Sequence, residues 1–179
     1  ILNSTKATDE SIVLFGIKPN CPHTWYGYIE AEKTEVYPAK VKNFKEKPNA
    51  ETALEYVNNG YFWNAWIFMF KKSVFINELK KSSPEYFEII KNGVLENFSK
   101  LPDLSVDYWV LEKSQKITMS PLNLYWSDLG SFDSFDEYFA ENKIEHKTTS
   151  VNAKNNRVIS ENKQKVYAFN GVDDIIVVD

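Results

Sequence analysis

One cysteine, Cys21, among 179 residues rules out an intrachain disulfide and mildly favours an intracellular home. Glycine is scarce as well: the chain has six, nowhere clustered, so none of its loops could cradle a triphosphate with stacked backbone N–H groups. No apolar run approaches the roughly 20 residues needed to span a bilayer, and no secretory signal opens the chain. A net charge of -4 gives nucleic acid no electrostatic reason to bind. These absences point to a soluble, cytoplasmic protein with neither a nucleic-acid nor a membrane partner. The two histidines add little: His23 reads as a surface-loop side chain and His146 lies outside every motif.

What the chain does have is aromatic weight. Phe, Tyr and Trp make up 15% of it, so part of its burial rests on rings. Residues 12–15 form a continuous apolar run, suited to a strand covered on both faces in an α/β sheet. Extended stretches are predicted over 26–32, 36–44, 67–70, 117–119 and 124–126. Asn49 should cap a short helix with Ala53, Leu54 and Val57 on one face, ended by Asn58-Asn59-Gly60. Ser83-Pro84-Glu85 is a helix start, followed by Phe87, Ile90, Val94 and Phe98 at helical spacing. Ser105 can cap a further helix to about Lys113, and Phe132, Phe135, Tyr138 and Phe139 mark a buried stripe on another. Beyond about Lys147 the texture turns polar and then into short β-like pieces at 157–160, 165–169 and 175–178, with no convincing internal repeat. The expected division is therefore 1–147 for an α/β part and 148–179 for the start of a β-rich unit.

Four clusters carry chemistry, each with an ordinary structural alternative. In His23-Thr24-Trp25-Tyr26-Gly27-Tyr28-Ile29, a glycine entering a strand lets a ligand approach backbone groups closely, or simply makes a turn. In Phe44-Lys45-Glu46-Lys47-Pro48, Glu46 suits sugar hydroxyls and Lys47 a phosphate, although a solvated charge run reads the same way. Asn64, among the aromatics of 61–68, has donors and acceptors for vicinal hydroxyls or for a buried backbone group. In Trp126-Ser127-Asp128-Leu129-Gly130-Ser131, Asp128 could bind Mg²⁺ through oxygen, or close a turn into a capped helix.

In their order these segments resemble the mannose-1-phosphate guanylyltransferases, including the nucleotidyltransferase part of enzymes that also carry a phosphomannose isomerase domain. Carrying the resemblance are Phe15-Gly16-Ile17-Lys18-Pro19, residues 24–30, 41–48 and 60–70, Ser105-Val106-Asp107-Tyr108, Glu112-Lys113, residues 126–130, and the closing 170–179. The fold it implies is the C-terminal part of a Rossmann-like sugar-phosphate nucleotidyltransferase domain, followed by the start of a β-helix-like unit. It also implies the reaction: GMP passes from GTP to mannose 1-phosphate, with pyrophosphate as leaving group and Mg²⁺ as cofactor. Glu46 and Asn64 would contact the sugar, Gly27 would offer backbone contacts, Lys47 would face the sugar phosphate, and Asp128 would hold the metal. Asp107-Tyr108 would be mainly architectural.

Departures from the pattern set further expectations. The glycine-rich triphosphate loop and the earlier metal-sharing Asp of the family have no counterpart in these residues, so the chain looks like a fragment, inactive alone. A half sheet would expose an edge, which leaves homo-oligomerisation open. Trp25, Trp66 and Trp109 stand where the family usually has small residues, and are expected to narrow or fill part of the sugar pocket. Two alternatives stay open: transfer of UMP or dTMP to glucose 1-phosphate, and a non-catalytic sugar-nucleotide-binding homologue.

Overall fold

Apolar side chains on both faces of one strand organise the larger part of the molecule. In the computed structural model, which describes residues 2–179 apart from the side chains of Leu2 and Asp133, helix α1 (Leu2–Ala7) leads into strand β1 (Ile12–Ile17). All six β1 positions are buried, as the continuous apolar run requires. The other strands of this sheet are β2 (Tyr28–Ala31), β3 (Ala39–Lys45), β4 (Phe62–Met69) and β5 (Ile117–Leu122). β1 lies antiparallel to β4 and parallel to β5; β4 pairs with β2, β2 with β3 and β3 with β5, so the pairing closes on itself in a mixed α/β arrangement.

Helix α2 (Ala50–Asn58) begins as its sequence dictates, the Asn49 Oδ1 accepting the Thr52 N–H at 2.8 Å, and gives way to Gly60 at φ +79°. Helix α3 (Lys72–Ser82) has no strong sequence stripe; it inserts Leu79 into the core and rests Val74 and Phe75 against it. Helix α4 (Pro84–Lys91) starts at the predicted Ser-Pro-Glu signal. The spacing that suggested one helix through Phe98 is broken by Gly93 at φ +106°, leaving a one-turn α5 (Val94–Asn97) and a 3₁₀ turn (Phe98–Lys100). The helix expected after Ser105 is a π-helical turn, Asp107–Leu111. The core is Ile12, Leu14, Ile29, Phe44, Leu79, Val110, Leu111, Ile117 and Met119, so α3 and the π-turn both cover the sheet.

Some boundaries differ from expectation. β4 begins at Phe62 rather than Ile67, which puts Asn64 inside a strand. β5 runs on to Leu122, and 124–126 is irregular rather than extended.

The chain divides into two compact units, the first reaching Leu124 and the second Tyr125–Asp179. In the second, helix α6 (Phe132–Glu141) is capped by Ser131, whose Oγ accepts the Ser134 N–H at 3.2 Å. Its aromatic stripe is not buried throughout: Phe132 and Tyr138 are exposed, Phe135 and Phe139 half-buried. Four strands follow: β6 (Lys147–Val151), β7 (Arg157–Ile159), β8 (Val166–Asn170) and β9 (Ile176–Val178). β6 pairs parallel with β8, and β7 with β9. The Ile175 N–H donates to the Asn156 Oδ1 and the Lys154 N–H to the Asp173 carboxylate, each across 19 residues. Left-handed positions repeat with the same offset, Asn152 with Gly171 and Asn155 with Asp174. A repeat is thus present that identity does not reveal, because what recurs is tolerance of positive φ.

Candidate functional site

Three of the expected site residues meet where β2, β3 and β4 begin or end. The Asn64 backbone N–H donates to the Gly27 carbonyl at 2.8 Å, extending the β2–β4 pairing by one step past Tyr28 and Trp63. Gly27 is buried, and a Cβ on it would stand 2.5 Å from the Glu46 Oε2, 3.1 Å from the Phe44 ring and 3.3 Å from the Asn64 Cβ. Here the glycine is required by close approach rather than by φ. Asn64 is fully buried; its Nδ2 donates to the Asp107 Oδ1 at 3.2 Å, and its Oδ1 accepts the Trp66 N–H at 3.2 Å.

Glu46 follows directly on β3 and is only 2% exposed. Neither of its carboxyl oxygens has a hydrogen-bond partner among the described residues, and the same is true of the Asp107 Oδ2. Unpaired buried acceptors are costly, about 1–3 kcal/mol each, so the Glu46 carboxyl keeps acceptor capacity that the neighbouring side chains leave unused. Burial, reinforced by the nearby Asp107 charge, pushes the Glu46 carboxyl up to about 7, against an opposing pull from Lys47. Burial also raises Asp107.

Lys47 is half exposed, its Nζ 3.9 Å from the Glu46 Oε1. Its backbone sits at φ +46°, strained for lysine and unexpected just before Pro48. Glu112, at the end of the π-turn, holds this corner: its Oε1 accepts the Glu46 N–H at 3.1 Å and the Lys45 ammonium at 3.4 Å. Asp107 and Glu112 are the residues that sequence reasoning undervalued. The available signal was an acid at 107 inside the apolar stretch 106–111.

Asp128 belongs to the second unit and is exposed. Its Oδ1 accepts the Gly130 N–H at 3.0 Å, and a Cβ on Gly130 would stand 3.0 Å from its Oδ2, so the Asp-x-Gly spacing folds the carboxylate back over the glycine. Among the described residues no three His, Cys, Asp or Glu side chains gather into a metal site.

The three tryptophans differ in burial. Trp25 is 70% exposed and Trp66 is 45% exposed, so neither overpacks a core. Trp66 occupies a bulge of β4, at φ +56°, where the pairing of β1 and β4 shifts register. That conformation gives the physical reason a glycine would suit this position. Trp109 packs against the core beside Tyr86, ring centroids 4.8 Å apart.

A mixed α/β unit thus gathers a glycine, a buried carboxylate, an amide and a lysine at its strand ends. Comparison with known proteins places it: residues 1–145 match the nucleotidyl transferase family, and the chain belongs to that family. It is 34% identical to the alginate biosynthesis protein AlgA of Pseudomonas syringae pv. tomato, over 99% of this chain and 41% of that protein. Against mannose-1-phosphate guanylyltransferase 2 of Escherichia coli O157:H7 the identity is 33%, over 99% of this chain and 42% of that protein. The chain thus spans about two fifths of the length of these curated relatives. Among solved structures, one described as a mannose-1-phosphate geranyltransferase from Thermus thermophilus superimposes with a TM-score of 0.80 at 25% identity, over 99% of this chain and 56% of that one. No helix among the described residues is long and apolar enough to cross a membrane.

Proposed function

We propose that this chain supplies the sugar-phosphate side of an enzyme that transfers GMP from GTP to mannose 1-phosphate, giving GDP-mannose and pyrophosphate. The observation that carries this reading is the buried Glu46 carboxyl, without a hydrogen bond and set against Gly27 with Lys47 at its edge. A carboxyl lacking donors, beside a backbone that admits close approach, suits vicinal sugar hydroxyls; the adjoining ammonium suits the phosphate those hydroxyls travel with. Names of the relatives, mannose-1-phosphate guanylyltransferase among them, support mannose and guanine over glucose and uridine.

In this scheme Glu46 and Asn64 orient the sugar, and Lys47 balances charge on its phosphate. A phosphate oxygen attacks the α-phosphorus of the nucleotide, the bond to pyrophosphate breaks in line, and no protein nucleophile intervenes. Positioning and charge neutralisation supply the rate. Asp128 fits Mg²⁺ in kind, since it offers hard oxygen donors from one exposed carboxylate, the share that Mg²⁺ takes from protein when phosphates fill its shell. When bound, the ion would neutralise charge on the phosphates. We further propose that residues 148–179 start a β-helix-like unit, supported by the two parallel strand pairs and their 19-residue offset.

The test is pyrophosphate release by the intact gene product with GTP, mannose 1-phosphate and Mg²⁺, with UTP and glucose 1-phosphate as controls. Turnover requiring GTP and mannose 1-phosphate, and falling at least about a hundredfold in Asp128→Ala, is the expected result. Turnover with UTP and glucose 1-phosphate alone would replace the substrate assignment. A folded protein that turns over no pair would make this a binding homologue.

A further inference from the structure

The π-helical turn Asp107–Leu111 sets two carboxylates five residues apart against two of the sugar-facing residues. On an α-helix, positions five apart point about 140° away from each other. The π-turn, with more residues per turn, narrows that divergence. Its closing bond runs from the Glu112 N–H to the Asp107 carbonyl at 2.8 Å, stacking the two residues in adjacent turns. π-turns are uncommon and recur at functional sites.

Each carboxylate grips a different strand. Asp107 accepts the Asn64 amide N–H on β4, and because the Asn64 carbonyl oxygen is already held by the Trp66 N–H, the amide has one orientation only. Glu112 accepts the Glu46 N–H just past the end of β3, where the sheet ladder no longer provides an acceptor, and fixes the corner that turns through the strained Lys47. Asp107 is fully buried, and Val110 and Leu111 anchor the turn in the core, so the clamp is mounted on a rigid support.

We propose that Asp107 and Glu112 are positioning residues for the sugar phosphate, acting from one π-turn to hold the Asn64 amide and the Glu46-Lys47 corner in register with each other. This rests on the sugar-site assignment above. It departs from an architectural role for the Asp-Tyr segment, because what the clamp fixes is the relative placement of two ligand-facing groups, not the packing of a wall. Removing either acceptor should loosen the sugar subsite and leave nucleotide binding alone.

The experiment is calorimetric titration of mannose 1-phosphate, and separately of GTP, into the intact gene product and its variants. Asp107→Ala and Glu112→Ala are each expected to weaken mannose 1-phosphate binding about tenfold with GTP affinity unchanged. Asp107→Asn and Glu112→Gln keep an acceptor oxygen and should retain most of the affinity. In an Asn64→Ala background, Asp107→Ala should add no further loss, since its effect passes through that amide. Glu112 is partly exposed, so the Glu112→Ala and Glu112→Gln pair decides the matter even where Asp107→Ala does not fold. Equal losses for both ligands, full additivity with Asn64→Ala, or unchanged mannose 1-phosphate affinity in both alanine variants would overturn the positioning role. A wild-type protein that binds no mannose 1-phosphate at all would remove the sugar-site assignment itself, an outcome separable from wild-type binding that the variants leave intact.

Discussion

Gly27 and Asn64 face one another across the β2–β4 junction, joined by a 2.8 Å bond from the Asn64 N–H to the Gly27 carbonyl. On its other side Gly27 follows the β2–β3 register, Tyr28 opposite Lys45, to lie so close to Glu46 that a methyl group would have its carbon 2.5 Å from the carboxyl oxygen. Gly27→Ala should therefore cost about 1–3 kcal/mol of stability through overpacking. It should also abolish measurable mannose 1-phosphate binding, because the displaced group is the carboxyl itself. Denaturant unfolding and ligand titration on the same sample check both.

Glu46 gives a pH dependence whose sign can be worked out. Its ordinary value of 4.5 is lifted to about 7 in the fold. Between those limits the unfolded chain has released the proton while the folded chain keeps it, so stability falls as pH rises through this window. The loss, about 3 kcal/mol, is nearly complete by pH 8. Glu46→Gln removes it. Wild type and variant should unfold alike near pH 4, and the variant should be the more stable at pH 8. Equal stabilities at both pH values would show that the carboxyl is not held neutral by its surroundings.

Trp66 stands in the left-handed region with its ring half in solvent. A buried tryptophan cut to a small residue ordinarily costs about 3–5 kcal/mol. Here the lost contacts are offset by release of about 1–2 kcal/mol of backbone strain, so Trp66→Gly should change stability by less than about 1.5 kcal/mol. Chemical denaturation decides it. Sugar affinity in the same variant tests whether the indole narrows the pocket: no change would leave the ring a bystander.

How much of this was legible in the sequence depended on range. Local signals read correctly: Asn49 as a cap, Ser83-Pro84-Glu85 as a start, and the apolar run of β1 as a buried strand. Gly27, Glu46 and Asn64 were visible as candidates by residue type and family resemblance, and the fold brings the three together. What stayed hidden was non-local. Asp107 reaches Asn64 across 43 residues, and Glu112 reaches the Glu46 N–H across 66. Neither pairing leaves a pattern in a short window, and an i to i+5 turn matches no period that sequence reading tests. Helix α3 escaped because its support comes from the core beneath Leu79 rather than from a full stripe of its own. The 19-residue repeat of the second unit escaped because Asn, Gly and Asp substitute for one another wherever positive φ is the only demand.

That 19-residue spacing limits how the second unit can change length. Beside the strand pairs, bonds join residues 19 apart, from the Lys154 N–H to Asp173 and from the Ile175 N–H to Asn156. A residue added between Asn152 and Asn156 lengthens the offset of the β6–β8 pair while that of the β7–β9 pair is unchanged, so the two pairs no longer share one spacing. The shared 19-residue spacing of the two strand pairs is therefore a length constraint, whereas extra residues in the surface loops of the first unit leave its strand pairings unchanged.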